Sequence, residues 1–337
     1  MKRSTVRTVC EKLHRMHARL SIILMAVIPF LFAVRADPAL YAAFQEKDSA
    51  NATRKSTIRS ATNLVLIPVS VTDAAGNPVK NLQLEDFTVL DNGQAVELQQ
   101  LLKPELTRLE ITLLFDITSS VWYYSDIVKE SAAGFVKSIF RPGDSVSVVG
   151  ISSPPEILLP RTDSLPDILD GLNRLRRGAA TAFFDAVVKA ARLFPGRPDP
   201  ETRRVIVVLS DGEDNFSRYR LDTALKEVQK ADSLFYSINP GASPDRLNKV
   251  SRRGQQRMAT IAEQTGGAAF MAESFRDLGG IYDEIARELQ VQYLLSYYSP
   301  APASDNGFRT ISVTLPEHPE FKVRARKGYY AGGKDSH

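Results

Sequence analysis

Three short stretches of this chain place oxygen-bearing side chains directly after apolar, β-prone runs. Because the carboxyl ends of parallel strands meet at one edge of an α/β sheet, we expect these side chains to lie close together. Carboxylate and hydroxyl oxygens are the ligands that a hard cation such as Mg²⁺ prefers. The predicted metal ligands are Asp116, Thr118, Ser120, Thr181 and Asp211.

The charge of this donor set predicts a docking point rather than a closed structural metal site. Only Asp116 and Asp211 are anionic, and the other predicted ligands are neutral hydroxyls. A divalent cation held in this way stays electron-poor, so a carboxylate from a protein partner can complete its shell. Each feature taken alone favours a turn or a helix cap, since Ser, Thr and Asp are common at both. The three features together favour metal binding.

The three stretches resemble the metal-ion-dependent adhesion site (MIDAS) of von Willebrand factor A domains. That family's pattern is Asp-x-Ser-x-Ser, followed by a distant Thr and a distant Asp. Here Asp116 and Ser120 match, and Thr118 replaces the first Ser but keeps the hydroxyl. The usual Gly of the loop is replaced by Ser119. The resemblance covers roughly residues 108–288. It implies that Mg²⁺, or else Mn²⁺ or Ca²⁺, binds, with the two carboxylates reaching the metal through water.

The predicted partner-binding rim lies beside the metal residues and combines aromatic and acidic side chains. Aromatic residues are enriched at the energetic centres of protein interfaces. The alternative is that the helix predicted near 121–140 buries some of these aromatic residues in its core face. We expect at least one aromatic residue to be exposed and one to be buried. The rim candidates are Trp122, Tyr123 and Asp214.

From Arg108 onward, strand-like runs alternate with helical patterns. This alternation predicts a doubly wound, mostly parallel α/β sheet of Rossmann-like type, with helices on both faces. The assigned domain is 105–290. The expected strands are 109–115, 145–151, 204–209, 233–238 and 268–270. The expected helices lie near 121–140, 164–175, 182–194, 219–231, 254–265 and 275–290.

The segments on either side of this domain, 63–104 and 291–332, are strand-rich. Each has too few strands to bury a sheet face alone, so we expect them to pack together as one β-sandwich-like domain. Two separate β appendages are the alternative. The apolar residues expected in the shared core are Val65, Ile67, Val69, Val71, Ile311, Val313 and Leu315.

Two stretches of these flanking segments resemble a narrower group of proteins. Asp91-Asn92-Gly93 predicts a tight hairpin turn. The stretch 86–93 and the ending Gly328-Tyr329-Tyr330 resemble a family of secreted bacterial von Willebrand A-related proteins that is abundant in acidobacteria.

The first 36 residues have the pattern of a signal peptide: basic residues, a short apolar run, and small residues ending at Ala36. With seven Lys/Arg and one Glu they carry a net charge of +6, while the whole chain carries +4, so the remainder carries −2. The basic charge therefore gives no reason to expect a nucleic-acid partner. We expect export to a bacterial periplasm, cell surface or extracellular space, with membrane contact only if the leader stays uncleaved. Residues 37–62 are expected to be a flexible linker.

The sequence does not favour an enzyme. Asp116 is also placed like the phosphoryl-transfer nucleophile of haloacid dehalogenase-like enzymes, but Thr118 stands where such chemistry needs a general acid. No Gly-x-Ser-x-Gly motif is present, and the single cysteine, Cys10, lies in the predicted leader. Two alternatives to an adhesion module stay open: a structural envelope protein with a degenerate site, and a metal-dependent phosphohydrolase.

Overall fold

The computed structural model describes residues 64–117, 124–178, 180–196, 199–240, 248–302 and 305–331. The predicted signal peptide and linker lie outside these ranges. So do two predicted metal ligands, Thr118 and Ser120, and two rim candidates, Trp122 and Tyr123. The described residues all fall within one compact unit, Arg59–His337. Among them, no helix is both long enough and apolar enough to cross a membrane.

Strands occur in all three parts of the described chain. The N-terminal flank contributes β1 (Leu64–Thr72), β2 (Thr88–Asp91), β3 (Gln94–Ala95) and β4 (Leu98–Leu102). The central part contributes β5 (Arg108–Asp116), β6 (Ser145–Ile151), β7 (Glu156–Thr162), β8 (Thr202–Leu209), β9 (Ser233–Pro240) and β10 (Ala269–Ala272). The C-terminal flank contributes β11 (Tyr293–Tyr298), β12 (Phe308–Thr314), β13 (Lys322–Ala325) and β14 (Gly328–Tyr330).

The α-helices of the described residues all lie in the central part. They are α1 (Ser125–Ile139), α2 (Leu165–Asn173), α3 (Phe183–Arg192), α4 (Leu221–Lys230), α5 (Lys249–Thr265) and α6 (Leu278–Leu289). Short 3₁₀ turns cover Leu84–Asp86, Pro104–Leu106 and Phe275–Asp277.

The central sheet has the strand order β10-β9-β8-β5-β6-β7. Its strands pair in parallel except β7, which runs antiparallel to β6. Every residue of β8 is buried, as expected for a parallel strand covered on both faces. The helices α1, α2 and α6 pack on one face, and α3, α4 and α5 pack on the other. The predicted doubly wound α/β fold is confirmed.

Strand β7 is an element that the sequence did not predict. It forms the edge of the central sheet and contains Pro160. Proline cannot donate a ladder hydrogen bond, so a strand that contains it is tolerated mainly at an edge. Helix α5 also begins five residues earlier than the expected 254, because the Asn248 side chain caps it by accepting from the amides of Val250 and Ser251.

The two flanking segments share two antiparallel sheets, ordered β13-β1-β11-β4 and β14-β12-β2-β3. Strand β1 pairs with β11, and β12 pairs with β2, so each sheet combines strands from both ends of the chain. Their apolar faces meet in one core, and the predicted β-sandwich-like arrangement is confirmed. The expected core residues Val65, Ile67, Val69, Val71, Ile311 and Leu315 are buried, and Val313 is partly buried.

A buried carboxylate ties the two flanks together. Asp91 is fully buried at the end of β2. Its Oδ2 accepts from the hydroxyls of Tyr297 and Tyr329, each at 2.9 Å, and its Oδ1 accepts from Arg309 Nε at 2.7 Å. The predicted hairpin follows directly, with Asn92 at φ 49° and Gly93 at φ 79°, the positive values that a tight hairpin turn needs.

The flanking β unit contacts the edge of the central sheet at which its parallel strands begin. Arg326 forms an ion pair with Asp232, which directly precedes β9. On α6, Glu288 Oε1 accepts from Ser70 Oγ of β1 at 2.7 Å and from the hydroxyl of Tyr236. This contact lies at the sheet edge opposite the predicted metal residues.

Candidate metal site

Two of the predicted ligands lie at the carboxyl ends of neighbouring strands: Asp116 ends β5, and Asp211 follows β8 by two residues. Asp116 is the last residue of β5 and is 3% exposed. The parallel register pairs Phe115 with Leu209, so Asp116 lies beside Ser210. Ser210 Oγ donates to Asp116 Oδ2 at 2.8 Å and accepts from the Gly212 amide at 3.0 Å. This pair of bonds fixes the orientation of the Asp116 carboxylate next to Asp211.

Thr181 reaches the same edge from a different element. It is buried, and it lies two residues before α3 begins. Its carbonyl oxygen accepts from the amides of Asn215 and Phe216 at 3.0 and 3.1 Å. The loop after β8 is therefore fastened to the loop that carries Thr181. A further bond, from the Gly178 amide to the Ile117 carbonyl at 2.8 Å, joins that second loop to the end of β5.

The structure thus brings Asp116, Thr181 and Asp211 to one edge from three distant parts of the sequence. The other two predicted ligands, Thr118 and Ser120, lie outside the described residues. Across the described ranges, no group of three or more His, Cys, Asp or Glu side chains is arranged to hold a metal. A metal at this edge would therefore depend on hydroxyl donors as well as on the two carboxylates.

The electrostatics of the site favour a cation. Burial, together with the negative charges of Asp116 and Glu213, raises the pKa of Asp211 from its ordinary 3.8 to about 6. The Glu213 amide, which donates to Asp211 Oδ1 at 2.9 Å, opposes the rise. Ionising a buried carboxyl group beside a second carboxylate costs free energy. A bound divalent cation lowers this cost because it offsets the repulsion between the two negative charges. The donor set fits a hard divalent metal ion.

The rim candidate Asp214 joins the loop after β8 to the start of α3. Its Oδ1 accepts from the Phe183 amide at 2.9 Å, at the first residue of α3, and from Ser217 Oγ. One carboxylate oxygen is therefore used to cap a helix amino terminus, where a negative charge is stabilising. The Asp185 carboxylate holds the same loop by accepting from the amides of Arg218 and Tyr219.

Three apolar side chains are exposed near this edge, and sequence reasoning missed two of them, Phe216 and Val250. Phe216 is 62% exposed and is bonded through its amide to Thr181. Val250, in the first turn of α5, is 55% exposed, and Tyr124, just before α1, is 45% exposed. Tyr124 also stacks on Phe275, with ring centroids 3.9 Å apart. A single exposed apolar residue between polar neighbours gives no periodic signal, so the sequence alone could not identify this surface.

Exposed basic residues lie within a few positions of Phe216 and Val250 in the sequence. The loop after β8 carries Arg218 and Arg220, and the first turn of α5 carries Lys249 and Arg253, all four exposed. The Ser210 hydroxyl, which orients Asp116, was also missed as a functional group. It stands inside the Leu209–Gly212 stretch that the sequence analysis singled out, so its position after the strand was the available signal.

Comparison with known proteins gives one family match, in the central part of the chain. Residues 113–213 match the family model of the von Willebrand factor type A domain. No curated protein sequence matches the chain.

Several solved structures show similarity at low identity. Proximal thread matrix protein 1 from the mussel byssus is 18% identical with a TM-score of 0.45, over 54% of this chain and 48% of its own. A structure of the same mussel protein has a zinc-occupied MIDAS motif and aligns with a TM-score of 0.47, at 18% identity, over 59% of this chain and 49% of its own. A von Willebrand factor type A protein from Catenulispora acidiphila is 12% identical with a TM-score of 0.45, over 81% of this chain and 75% of its own.

This chain spans about half the length of the mussel protein that it matches. At such identities and TM-scores these likenesses support no argument about function. The family match runs from within β5 to within the loop after β8 and includes Asp116, Thr181 and Asp211. Over residues 113–213, the central α/β part of this chain matches the von Willebrand factor type A domain.

Proposed function

We propose that this domain binds a divalent metal ion at the carboxyl-end edge of its central sheet and docks a protein partner there. The observation that carries the proposal is the convergence of Asp116, Thr181 and Asp211 on one edge, together with the raised pKa of Asp211. The bound metal would supply an open coordination position for a partner carboxylate. The proposed ligands are Asp116, Thr118, Ser120, Thr181 and Asp211, and the proposed metal is Mg²⁺, with Mn²⁺ or Ca²⁺ as substitutes.

Each described residue has a separate task in this proposal. Asp116, held by Ser210, provides a fixed carboxylate whose orientation does not depend on the metal. Asp211 provides the second negative charge, and Thr181 provides a neutral hydroxyl. The two carboxylates together only balance the charge of a divalent ion, and the other protein ligands are neutral hydroxyls, so an open position in the metal shell can still accept an anionic partner group.

The surface near the site supports a protein partner with acidic character. Phe216 and Val250 offer exposed apolar area, and apolar anchors close to a charged contact are typical of interface centres. The exposed Arg218, Arg220 and Arg253 complement a negatively charged partner surface and would speed its approach. The rim predicted from the sequence, Trp122, Tyr123 and Asp214, remains part of the proposal.

We also propose that the protein works outside the cytoplasm of a bacterium, in the periplasm, on the cell surface or in the medium. The leader-like pattern of residues 1–36 supports export. Von Willebrand factor type A domains are often extracellular, which is consistent with this location. Membership of the secreted bacterial subfamily remains part of the proposal.

We propose a binding role rather than a catalytic one. Thr118 stands where phosphoryl transfer from an Asp116 nucleophile would need a general acid. An interaction module is also the usual role of this domain family. A structural protein with a degenerate site is the competing hypothesis, and metal dependence distinguishes the two.

The test is capture of partners from an envelope extract of the source bacterium with immobilised full-length protein. The proposal predicts a specific partner that is released by EDTA and restored by Mg²⁺. Thr181→Ala should lose this capture while keeping its melting temperature within a few degrees, since Thr181 Oγ1 has no structural role in the proposal. The matched control is Thr260→Ala, because Thr260 is a partly exposed residue on α5 whose hydroxyl donates to the Gln256 carbonyl of its own helix. Capture that survives EDTA would show that no metal bridges the complex.

A further inference from the structure

We infer that Gly254 in α5 is a positioning residue that sets where Asp211 stands and thereby favours Mg²⁺ over larger cations. The inference rests on the metal site proposed above and deepens it. Gly254 lies far from Asp211 in sequence and carries no ligand atom. Its role would be to let the helix backbone touch the loop backbone directly.

The contact between helix and loop leaves no space for a side chain. A Cβ atom at Gly254 would lie 2.5 Å from the Asp211 carbonyl oxygen, 2.8 Å from the Gly212 carbonyl carbon and 2.9 Å from its oxygen. Conversely, a Cβ atom at Gly212 would lie 2.7 Å from the Gly254 oxygen. All of these neighbours are backbone atoms, so no flexible side chain can swing away to relieve the clash. Gly212 also has φ 72°, a conformation that other residues rarely adopt.

Further bonds hold the helix in place against the loop. Ser251 Oγ donates to Glu213 Oε1 at 3.0 Å, two residues after Asp211. Gln255 Oε1 accepts from Asn239 Nδ2 at 3.0 Å, which joins α5 to the end of β9. Met258 and Ile261 of the same helix are fully buried in the core. Since α5 is fixed by its core side chains, an added methyl group at 254 would move the loop more readily than the helix.

The displacement would act on Asp211 and on the water through which this carboxylate is expected to reach the metal. Opening the closest contact from 2.5 Å to about 3.4 Å, where ordinary contacts begin, requires a shift of about 0.9 Å at the Asp211 backbone. Binding constellations need their groups held within about 0.5 Å. Mg²⁺ demands octahedral ligation at about 2.0–2.1 Å, whereas Ca²⁺ accepts flexible geometry at about 2.3–2.6 Å. Moving Asp211 should therefore weaken the binding of Mg²⁺ more than the binding of Ca²⁺.

The experiment compares Mg²⁺ and Ca²⁺ affinities of the full chain with those of Gly254→Ala by calorimetry. We expect Gly254→Ala to weaken Mg²⁺ binding about tenfold or more and Ca²⁺ binding by a clearly smaller factor. The matched control is Gly134→Ala, because Gly134 also lies inside a helix but has open space where its Cβ would be. Gly134→Ala should leave both affinities unchanged. Equal losses for the two ions, or no loss, would overturn the inference.

A second readout separates this inference from the metal proposal. In metal-free protein, Gly254→Ala should shift the amide resonances of residues 211–216, while Gly134→Ala should not. If the wild-type protein binds neither ion, the metal proposal fails, and these amides still decide whether Gly254 positions the loop. If Gly254→Ala does not fold, Ser251→Ala replaces it, since it removes one bond to the loop and adds no bulk. An unchanged ratio of Mg²⁺ to Ca²⁺ affinity in Ser251→Ala would then refute the positioning role of α5.

Discussion

Replacing Asp211 with Asn should stabilise the metal-free protein at neutral pH. The folded-state pKa of Asp211 is raised from 3.8 to about 6, mainly by burial and then by the charges of Asp116 and Glu213. The folded state therefore binds the proton more tightly than the unfolded state between these two values. It follows that the contribution of Asp211 to the free energy of unfolding falls as the pH rises from about 4 to about 6 and levels off above that range. Asn carries no charge, so the variant avoids this loss.

The size of the effect follows from the difference between the two pKa values. Each pH unit of difference corresponds to about 1.36 kcal/mol, so a rise from 3.8 to about 6 gives about 3 kcal/mol. This figure is an upper limit, because Asp211 is only partly buried and solvent screens its charge. Asn should preserve the local geometry, since its side-chain oxygen can still accept from the Glu213 amide.

The assay is urea denaturation of wild-type protein and Asp211→Asn in EDTA between pH 4 and pH 8. The two proteins should have similar stability near pH 4, and the variant should be more stable by up to about 3 kcal/mol at pH 7. Adding Mg²⁺ should stabilise the wild type only, because the variant lacks the second charge of the site. A variant that is less stable than wild type at pH 7, or a difference that does not change with pH, would refute the electrostatic reasoning.

Three further predictions concern the flanking segments and the leader. Asp91→Ala should lower the free energy of unfolding measured by urea denaturation by about 3–5 kcal/mol, since it leaves Arg309 without its buried partner. A decrease of less than about 1 kcal/mol would contradict the role of the Asp91 hydrogen bonds in joining the two flanks. Deleting 291–337 should make 63–102 sensitive to limited proteolysis, whereas unchanged resistance would argue against the shared core. Mass spectrometry of protein from its native host should find a mature amino terminus at Asp37, and an intact Met1 would instead support a membrane anchor.

Most of the fold could be predicted from the sequence, because the patterns that indicate strands and helices extend over whole continuous segments. The buried run of β5 and the alternation of strands with amphipathic helices were sufficient to predict the central sheet. The shared β-sandwich followed from a physical requirement, since neither flank could bury its apolar face alone. Strand β7 was missed because Pro160 is tolerated only through its edge position, which depends on the assembled sheet.

The site was predictable in part. Asp116 and Asp211 were identified from their places after strands, and the structure brings them to one edge with Thr181, which lies not after a strand but in the loop between α2 and α3. The residues that hold the predicted ligands in position were not predictable, because they act through contacts between segments that are distant in sequence. The bond from Ser210 to Asp116 requires the β5–β8 register, and the contact of Gly254 with Asp211 requires the packing of α5. A glycine in a polar helix gives no sign in the sequence that its missing side chain matters.

The central claim is that a divalent metal binds at this edge through Asp116. The most direct measurement is a calorimetric titration of Mg²⁺ into metal-free wild-type protein and into Asp116→Ala, with circular dichroism confirming that both are folded. The account predicts one bound Mg²⁺ per wild-type chain and no detectable binding to Asp116→Ala. Equal Mg²⁺ affinity in the two proteins, or no binding to the wild type, would contradict it.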